Sequence, residues 1–329
     1  MEQKILETIK KYDLIKEKEK VVVGVSGGPD SISLLNALKN LNEQKKINFE
    51  MVVAHINHQI RKEANDDEEY VKKYCEKNNI KFYAKRIDVI EFANNNKIGL
   101  EEAGRKIRYE FFDEIMKKEN AGKIAIAHNK NDKAETIIMN ILRGSGISGL
   151  KGIEPIRENK YIRPLIECER KEIEKYCEEN NLQPRIDKTN FENDCTRNKI
   201  RNIVLPYIKK EFNQNIIETM NRLSEVAKET DDYLQKETET IYNELKIEEG
   251  HKSIVLNLKE FNTKDRLIRK RILMHAISKT LGNSQNIEKV NIDDIISMCD
   301  NNIGNKYLKP NKNIKVAVNK GKIFFEALI

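Results

Sequence analysis

The hydrophobic pattern of the first part of the chain switches repeatedly between two periods. Val21–Val25 is an unbroken apolar run, the signature of a strand buried on both faces of a parallel sheet. Asp30–Asn40 then places Ile32, Leu35 and Leu38 at helical spacing. The alternation repeats. Strand-like runs lie at 51–56 (MVVAHI), 80–87 (IKFYAKRI) and 123–128 (KIAIAH), and helical stretches at 66–79, 101–120 and 132–144. Such a βαβα rhythm predicts an α/β fold with a doubly wound, Rossmann-like parallel sheet, whose ligands gather at the carboxyl ends of the strands. The N-terminus, MEQKILETIKKYDLI, has an amphipathic helical period and no apolar run of signal-peptide length.

After about residue 150 the rhythm changes. Residues 170–181 read as a helix, 187–212 as a polar and basic stretch, and Gln214–Leu245 as one long helix with few breakers. The last third mixes strand-like runs (SIVLNL, IKVAV, KIFFEAL) with a helix over RLIRKRILMHAISKTL. The expected organisation is a nucleotide-binding domain over 1–210, then a helical connector and a smaller mixed α/β domain over 211–329.

Composition narrows the class. The 329 residues carry 60 Lys and Arg against 53 Asp and Glu, a net charge of +7, compatible with a nucleic-acid partner without requiring one. Five cysteines are odd in number, scattered, and contain no C-x-x-C pair. A disulfide framework, a zinc ribbon and an iron–sulfur site are therefore not expected. No stretch is apolar enough to span a membrane, and the expected location is the reduced cytoplasm.

The first valine run ends in Ser26-Gly27-Gly28-Pro29-Asp30-Ser31. Strand, glycines and helix together make a phosphate cradle, because glycine lets the backbone approach an anion and the helix start offers free N–H groups. No lysine follows, which excludes a Walker loop, and the glycine spacing excludes the dinucleotide fingerprint. The loop resembles the pyrophosphate (PP-loop) motif of ATP pyrophosphatases. That resemblance implies ATP binding by Ser26, Gly27, Gly28, Pro29, Asp30 and Ser31, hydroxyl donation by the two serines, and Mg²⁺ held with ATP by Asp30.

Five further blocks, AHINHQIR (54–61), GLEEAGRKIRYEFF (99–112), AHNKNDKAETIIMNILRGSGISGLKGI (127–153), RPLIECERKEIEKYCEENN (163–181) and DKTNFENDCTRNKIRNIVLP (187–206), stand in order behind the loop. Together they resemble the tRNA(Ile)-lysidine synthetase family from about residue 19 to 210. The resemblance implies ATP-dependent adenylation of the first anticodon cytidine of an isoleucine tRNA with a CAU anticodon. Free L-lysine then attacks the position-two carbon, and AMP and pyrophosphate are released. It implies that Asp132 and Glu135, three apart on one helix, hold the lysine. Arg105 and Arg201 are expected to face phosphates or the developing oxyanion, His55 to lie at the nucleotide, and Arg197, Asn198, Lys199, Asp187 and Asn190 to face tRNA. Residues 197–210 hold five cations and no acid, and a second basic run, Lys264, Arg266, Arg269, Lys270 and Arg271, is a further candidate for RNA backbone. The family commonly has H-H-x-D-D-x-x-E-T where this chain reads His128-Asn129-Lys130-Asn131-Asp132-Lys133-Ala134-Glu135-Thr136, so the resemblance assigns no role to Asn129 or Asn131. Members often extend further at the C-terminus, which makes this a short or truncated form, and pairing into a homodimer is left open. The alternatives are a tRNA thiolase of the same fold, a small-molecule amide synthetase, and a non-catalytic ATP- or RNA-binding module.

Overall fold

The computed structural model describes residues 1–59, 64–185, 192–193, 195–283, 287–301 and 306–328. The chain divides into two compact units, Met1–Ala227 and Lys228–Ile329. The division falls inside the long helix, further along the chain than the 210/211 boundary expected from sequence.

In the first unit the expected strands form a parallel sheet. Its members are β1 (Lys20–Gly24), β2 (Glu50–Asn57), β3 (Lys81–Arg86), β4 (Lys123–Ala125), β5 (Ile156–Arg157) and β6 (Tyr161–Ile162), ordered β3-β2-β1-β4-β6-β5. All pairings are parallel except the terminal β5–β6 pair. Helices cover both faces: α1 (Glu2–Lys11), α2 (Pro29–Glu43), α3 (Ala64–Lys77), α4 (Val89–Asn96), α5 (Leu100–Lys118), α6 (Lys130–Leu142), α7 (Ile147–Leu150) and α8 (Arg170–Glu179). The valines of β1 divide between the faces. Val21 and Val23 join a core with Ile32, Leu35, Leu38 and Ile173, and Val22 joins Phe111, Phe112 and Ile124 on the other side. Gly24 fits because α5 lies against it; a Cβ there would meet the Phe112 ring at 2.5 Å.

Chain order reverses about β1, which has β2 on one side and β4 on the other. The carboxyl ends of β1 and β4 therefore open the crevice where doubly wound sheets bind ligands. Strand β4 is shorter than the run 123–128 suggests. It ends at Ala125, and the next residues leave the sheet to deliver His128 and Asn129 to the start of α6. The basic stretch 187–212 is helical where described: α9 (Thr196–Lys199), a π-helical turn (Ile200–Val204) and α10 (Leu205–Glu211) run on continuously. The long helix follows as α11 (Ile216–Leu245).

The second unit carries a five-stranded sheet, β7 (Lys246–Glu249), β8 (Ser253–Asn257), β9 (Lys306–Asn311), β10 (Ile314–Asn319) and β11 (Lys322–Ala327), in the order β7-β8-β11-β10-β9 with antiparallel pairing throughout. Helices α12 (Leu258–Asn262), α13 (Arg266–Leu281) and α14 (Lys289–Asp300) complete it. Alternation along β10 sends Ile314, Val316 and Val318 into a core with Phe261, Ile272, Ile295 and Phe325, as expected for a sheet with one wet face. No described helix is long and apolar enough to cross a membrane.

Candidate functional site

The glycine loop joins β1 to α2 as its residue types require. Gly27 sits at φ +92, a backbone conformation that side chains resist. Gly28 caps α2 with no side-chain acceptor on its first N–H groups, and Pro29 occupies the first turn. That leaves helix-terminal donors facing the crevice, the arrangement an anion seeks. The serines differ. Ser31 is buried; its Oγ donates to Gly28 O (3.0 Å) and accepts from the Ser26 N–H (3.1 Å), bracing the loop. Ser26 is exposed, with its Oγ 3.2 Å from Ser31 Oγ. Behind the loop, His55 is buried, with Nδ1 2.8 Å from Val25 O. Nδ1 must donate to that carbonyl, so Nε2 is a bare acceptor, and it is buried without a protein partner. His58 Nδ1 is in the same condition. Burial, with the Arg108 charge behind it, pushes the His58 imidazole down to about 4. Orphaned neutral ring nitrogens beside a phosphate loop suit the hydroxyls and amino group of a nucleoside.

Across the crevice, the start of α6 assembles the acids. Asn129 is fully buried and forms a capping box with Asp132: its Oδ1 accepts from the Asp132 N–H, and its own N–H donates to Asp132 Oδ2, both at 3.0 Å. Its Nδ2 donates to Asp30 Oδ1 at 2.9 Å. One amide thus ties the acid of the glycine loop to the acid of α6. Asn131 also has a task, accepting from the Arg170 N–H at 3.0 Å where α8 begins. Both departures from the family pattern are therefore engaged in the crevice.

Asp132 and Glu135 share cations. Arg201 donates from Nε to Glu135 Oε1 (2.7 Å) and from Nη2 to Asp132 Oδ1 (2.9 Å) and Glu135 Oε2 (2.8 Å). Arg197 donates from Nε to Glu135 Oε2 (3.1 Å) and sets Nη2 3.3 Å from Asp132 Oδ1. Arg170 closes the ring at 3.6 Å from Asp132. Glu135 is 1% exposed. Burial alone would raise Asp132, but the guanidinium charges of Arg197, Arg201 and Arg170 outweigh it and hold the carboxyl below its ordinary range. Asp30 goes the other way, pushed up to about 6 by burial and then by the Asp132 charge. His128 is driven down to about 3 by burial and by nearby Arg163, Arg197 and Arg108, with only Asp132 opposing. Its Nδ1 accepts from Arg163 Nε at 3.2 Å, which fixes the neutral tautomer.

The crevice thus brings together Asp30, Asp132, Glu135, Arg201, Arg197 and the glycine loop. Arg105 is exposed on α5 with its guanidinium 5.0 Å from the centre of the Tyr109 ring, and its charge acts on Arg163. Asn198 donates to Glu192 O (2.8 Å) and Lys199 is exposed. Asp187 and Asn190 lie outside the described residues. Arg197, expected on an RNA-facing strip, is turned inward onto the acids, because two buried carboxylates demand more than one cation. Sequence reasoning did not pick out Asn129, Arg163 or Arg170. The Asn-x-x-Asp spacing at 129–132 is a readable capping signal; for the two arginines no local signal exists.

The second basic run is corrected more strongly. Arg269 is 8% exposed and donates to Asn262 Oδ1 (3.0 Å) and Asp300 Oδ1 (2.6 Å). Arg271 donates to Asp231 (3.0 Å), Arg266 and Lys270 meet Asp293, and Lys264 lies 3.8 Å from Glu244. These cations are each met by an acid within their own unit, so the run is partly committed to the fold. The cysteines are all free. Burial raises the Cys75, Cys168 and Cys299 thiols to about 12, which leaves them poor nucleophiles.

Residues 1–208 match the model of a PP-loop domain. The chain is 48% identical over 320 residues to a tRNA(Ile)-lysidine synthase of Clostridium acetobutylicum, covering 97% of this chain and 68% of that protein. It is 47% identical over 321 residues to one of Clostridioides difficile, covering 97% and 69%. Among solved structures, a U34-tRNA thiolase, NcsA, from Methanococcus maripaludis with its [4Fe-4S] cluster aligns over 68% of this chain and 77% of that one. Its TM-score is 0.56 and its identity 22%, a likeness of fold alone.

Proposed function

The chain belongs to the tRNA(Ile)-lysidine synthase family, and we propose how the residues of its crevice divide that family's reaction between them. The enzyme uses ATP to adenylate the first anticodon cytidine of an isoleucine tRNA with a CAU anticodon. It then ligates free L-lysine to the position-two carbon, forming lysidine with release of AMP and pyrophosphate. The glycine loop and the uncapped start of α2 take the β- and γ-phosphates. His55 Nε2 accepts from the nucleoside, and Asp30 holds Mg²⁺ that arrives with ATP. Asp30 would be the protein's ligand to that ion, with phosphate and water oxygens available for the rest, as is usual for Mg²⁺. When bound, the ion supplies charge neutralisation for the leaving pyrophosphate.

The observation that carries the assignment of lysine is the acid pair. Asp132 and Glu135 are buried at the carboxyl end of β4, within one amide of Asp30, and they already hold cations. A lysine ammonium exchanges for a guanidinium there without leaving a carboxylate bare. The ε-ammonium must shed its proton, here to solvent water, before attack, since its ordinary pKa is about 10.4. Asp132, held below its usual range, is suited to anchor the ammonium and poorly suited to take that proton. The amine nitrogen then bonds to the position-two carbon, and the adenylate oxygen departs with its electron pair on AMP. Arg201, released from the acids, is free to face that developing charge. A sulfur-transfer reading finds no support in the buried, raised thiols of Cys75, Cys168 and Cys299.

The test is incorporation of labelled lysine into a tRNA with a CAU anticodon, beside the same tRNA with the first anticodon cytidine changed to uridine. Label in the first alone is the expected result. AMP release without lysine in either would keep the adenylating loop and overturn the nucleophile.

A further inference from the structure

The helical rod Thr196–Glu211 presents a face that the chemistry leaves idle. Its inner side packs Ile200, Val204, Leu205 and Ile208 against Ala134 and Ile138 of α6 and Ile216 and Ile217 of α11. A second side turns Arg197 and Arg201 onto the acids. The remaining side carries Ile203 and Tyr207, with Phe212 just past its end, at 53%, 60% and 76% exposure. The Tyr207 and Phe212 rings meet edge-on, with centroids 5.9 Å apart and planes at 64°. Lys199, Lys209 and Lys210 flank them and are exposed. Lys210 pairs with Glu211 at 3.0 Å, whereas Lys199 and Lys209 make no ion pair among the described residues.

Adjoining aromatic rings left in water mark a surface awaiting a partner. Rings set among exposed lysines have the chemistry of a nucleic-acid base platform, in which the base stacks on the ring and the phosphate meets the ammonium. The rod also joins this face to the crevice. Tyr207 lies six residues beyond Arg201, roughly 9 Å along a helix axis, or about two to three base steps of a stacked strand. The π-helical turn Ile200–Val204 carries both Arg201, turned to the acids, and Ile203, on the exposed side; such turns recur near functional sites.

We infer that Tyr207 and Phe212 form a stacking platform for unpaired anticodon-loop bases adjacent to the reacting cytidine, with Lys199 and Lys209 on the phosphates between them. The inference rests on the RNA substrate assigned above and names the surface that receives it. A single extruded base gives an enzyme little purchase on its loop; a platform beside the crevice supplies the remainder.

The test uses the full chain and a whole CAU tRNA, with binding and lysine incorporation measured separately. Tyr207→Ala and Phe212→Ala are each expected to weaken tRNA binding about tenfold or more. Tyr207→Phe is expected to restore it, and the KM for lysine and the affinity for ATP are expected to stay at the parent value. A tRNA abasic at the two positions beside the target cytidine should bind parent and Ala variants alike. Equal binding of the normal tRNA to parent and variants overturns the platform, as does an undiminished loss on the abasic tRNA. A fall in molecular mass in solution on Tyr207→Ala, with tRNA affinity intact, also overturns it and assigns the face to a second copy of this chain. If the parent binds tRNA through this face yet incorporates no lysine, the platform stands and the reaction assignment alone falls.

Discussion

Two helical stretches carry basic runs of similar composition and use their charge in opposite ways. In the second unit, the run at 264–271 has five cations that all meet acids, Asp231, Asp300 and Glu244 taking one each and Asp293 taking both Arg266 and Lys270. It holds α13 to its own unit and has little charge left over. In the first unit, the run at 197–210 splits. Arg197 and Arg201 turn onto two buried acids, and Lys199 and Lys209 stay in water. A count of cations along the chain ranks the two runs alike; the acids that meet them decide which is structural and which is poised for a partner.

The largest expected effect that sharpens this contrast is at Arg201. Arg201→Gln removes the cation shared by Asp132 and Glu135 and should lower kcat about a hundredfold, the usual scale for losing a donor to a developing anion. The same variant leaves the acids under-neutralised, so the KM for lysine should fall. A rise in that KM would mean that Arg201 helps hold lysine and does not share its place.

Arg271→Met in the second unit should instead cost about 2 kcal/mol of unfolding free energy, because it takes a cation from the nearly buried Asp231. Its lysine, ATP and tRNA kinetics should not change. Loss of tRNA affinity in that variant would break the comparison.

The pH dependence of stability separates the units by sign. Asp30 has a folded pKa near 6 against an ordinary 3.8, so its ionised form is disfavoured in the folded protein. That penalty is absent below about pH 4, grows between the two values and is complete above the folded one. Asp30→Asn should therefore stabilise the ligand-free protein at neutral pH by about 2 kcal/mol, lose that advantage in acid, and abolish Mg²⁺-dependent ATP binding. Glu249, in the second unit, is held down to about 2 by hydrogen bonds from Lys246 and Lys279. Its contribution is present above pH 4.5 and disappears as the pH falls toward 2. Glu249→Gln should cost less than about 1 kcal/mol at neutral pH, since the pair is largely solvated. Differential melting curves of the two variants across pH 2 to 8 read both signs, Asp30 between about 4 and 6 and Glu249 between about 4.5 and 2.

The smallest effect is on salt. Lys199→Ala and Lys209→Ala should each make the dependence of log tRNA affinity on log salt shallower by about 1, with the melting temperature unchanged. Arg266→Ala, already paired with Asp293, should leave that slope alone.

What the sequence made legible follows from where the determinants lie. Val21–Val25, the glycines behind it and the Asp132/Glu135 pair are local signals, because strand burial, a positive φ and helical spacing each act over a few residues. Strands β5 and β6, two residues each, have no period to detect. Helix α14 reads KVNIDDIISMCD, and its start signal is a Glu288–Asn291 box outside the usual capping residues. The ring around Asp132 is non-local. Arg170 arrives on α8 and Arg197 and Arg201 on the rod, brought there by the fold and unmarked by their neighbours. Asn129 is the instructive case: its place in the family's pattern pointed away from a role, its spacing to Asp132 went unread as a capping signal, and the structure gives it the cap and a bond to Asp30 besides.

The most direct test of the central claim, that the buried acids of α6 hold the attacking lysine, is the lysine dependence of incorporation in Asp132→Asn. An amide oxygen still accepts the Asn129 N–H, so the capping box survives and only the charge is lost. The account predicts a KM for lysine raised about tenfold or more, with ATP affinity at the parent value. An unchanged KM for lysine with reduced kcat would contradict it and leave Asp132 as a partner of Arg201 alone.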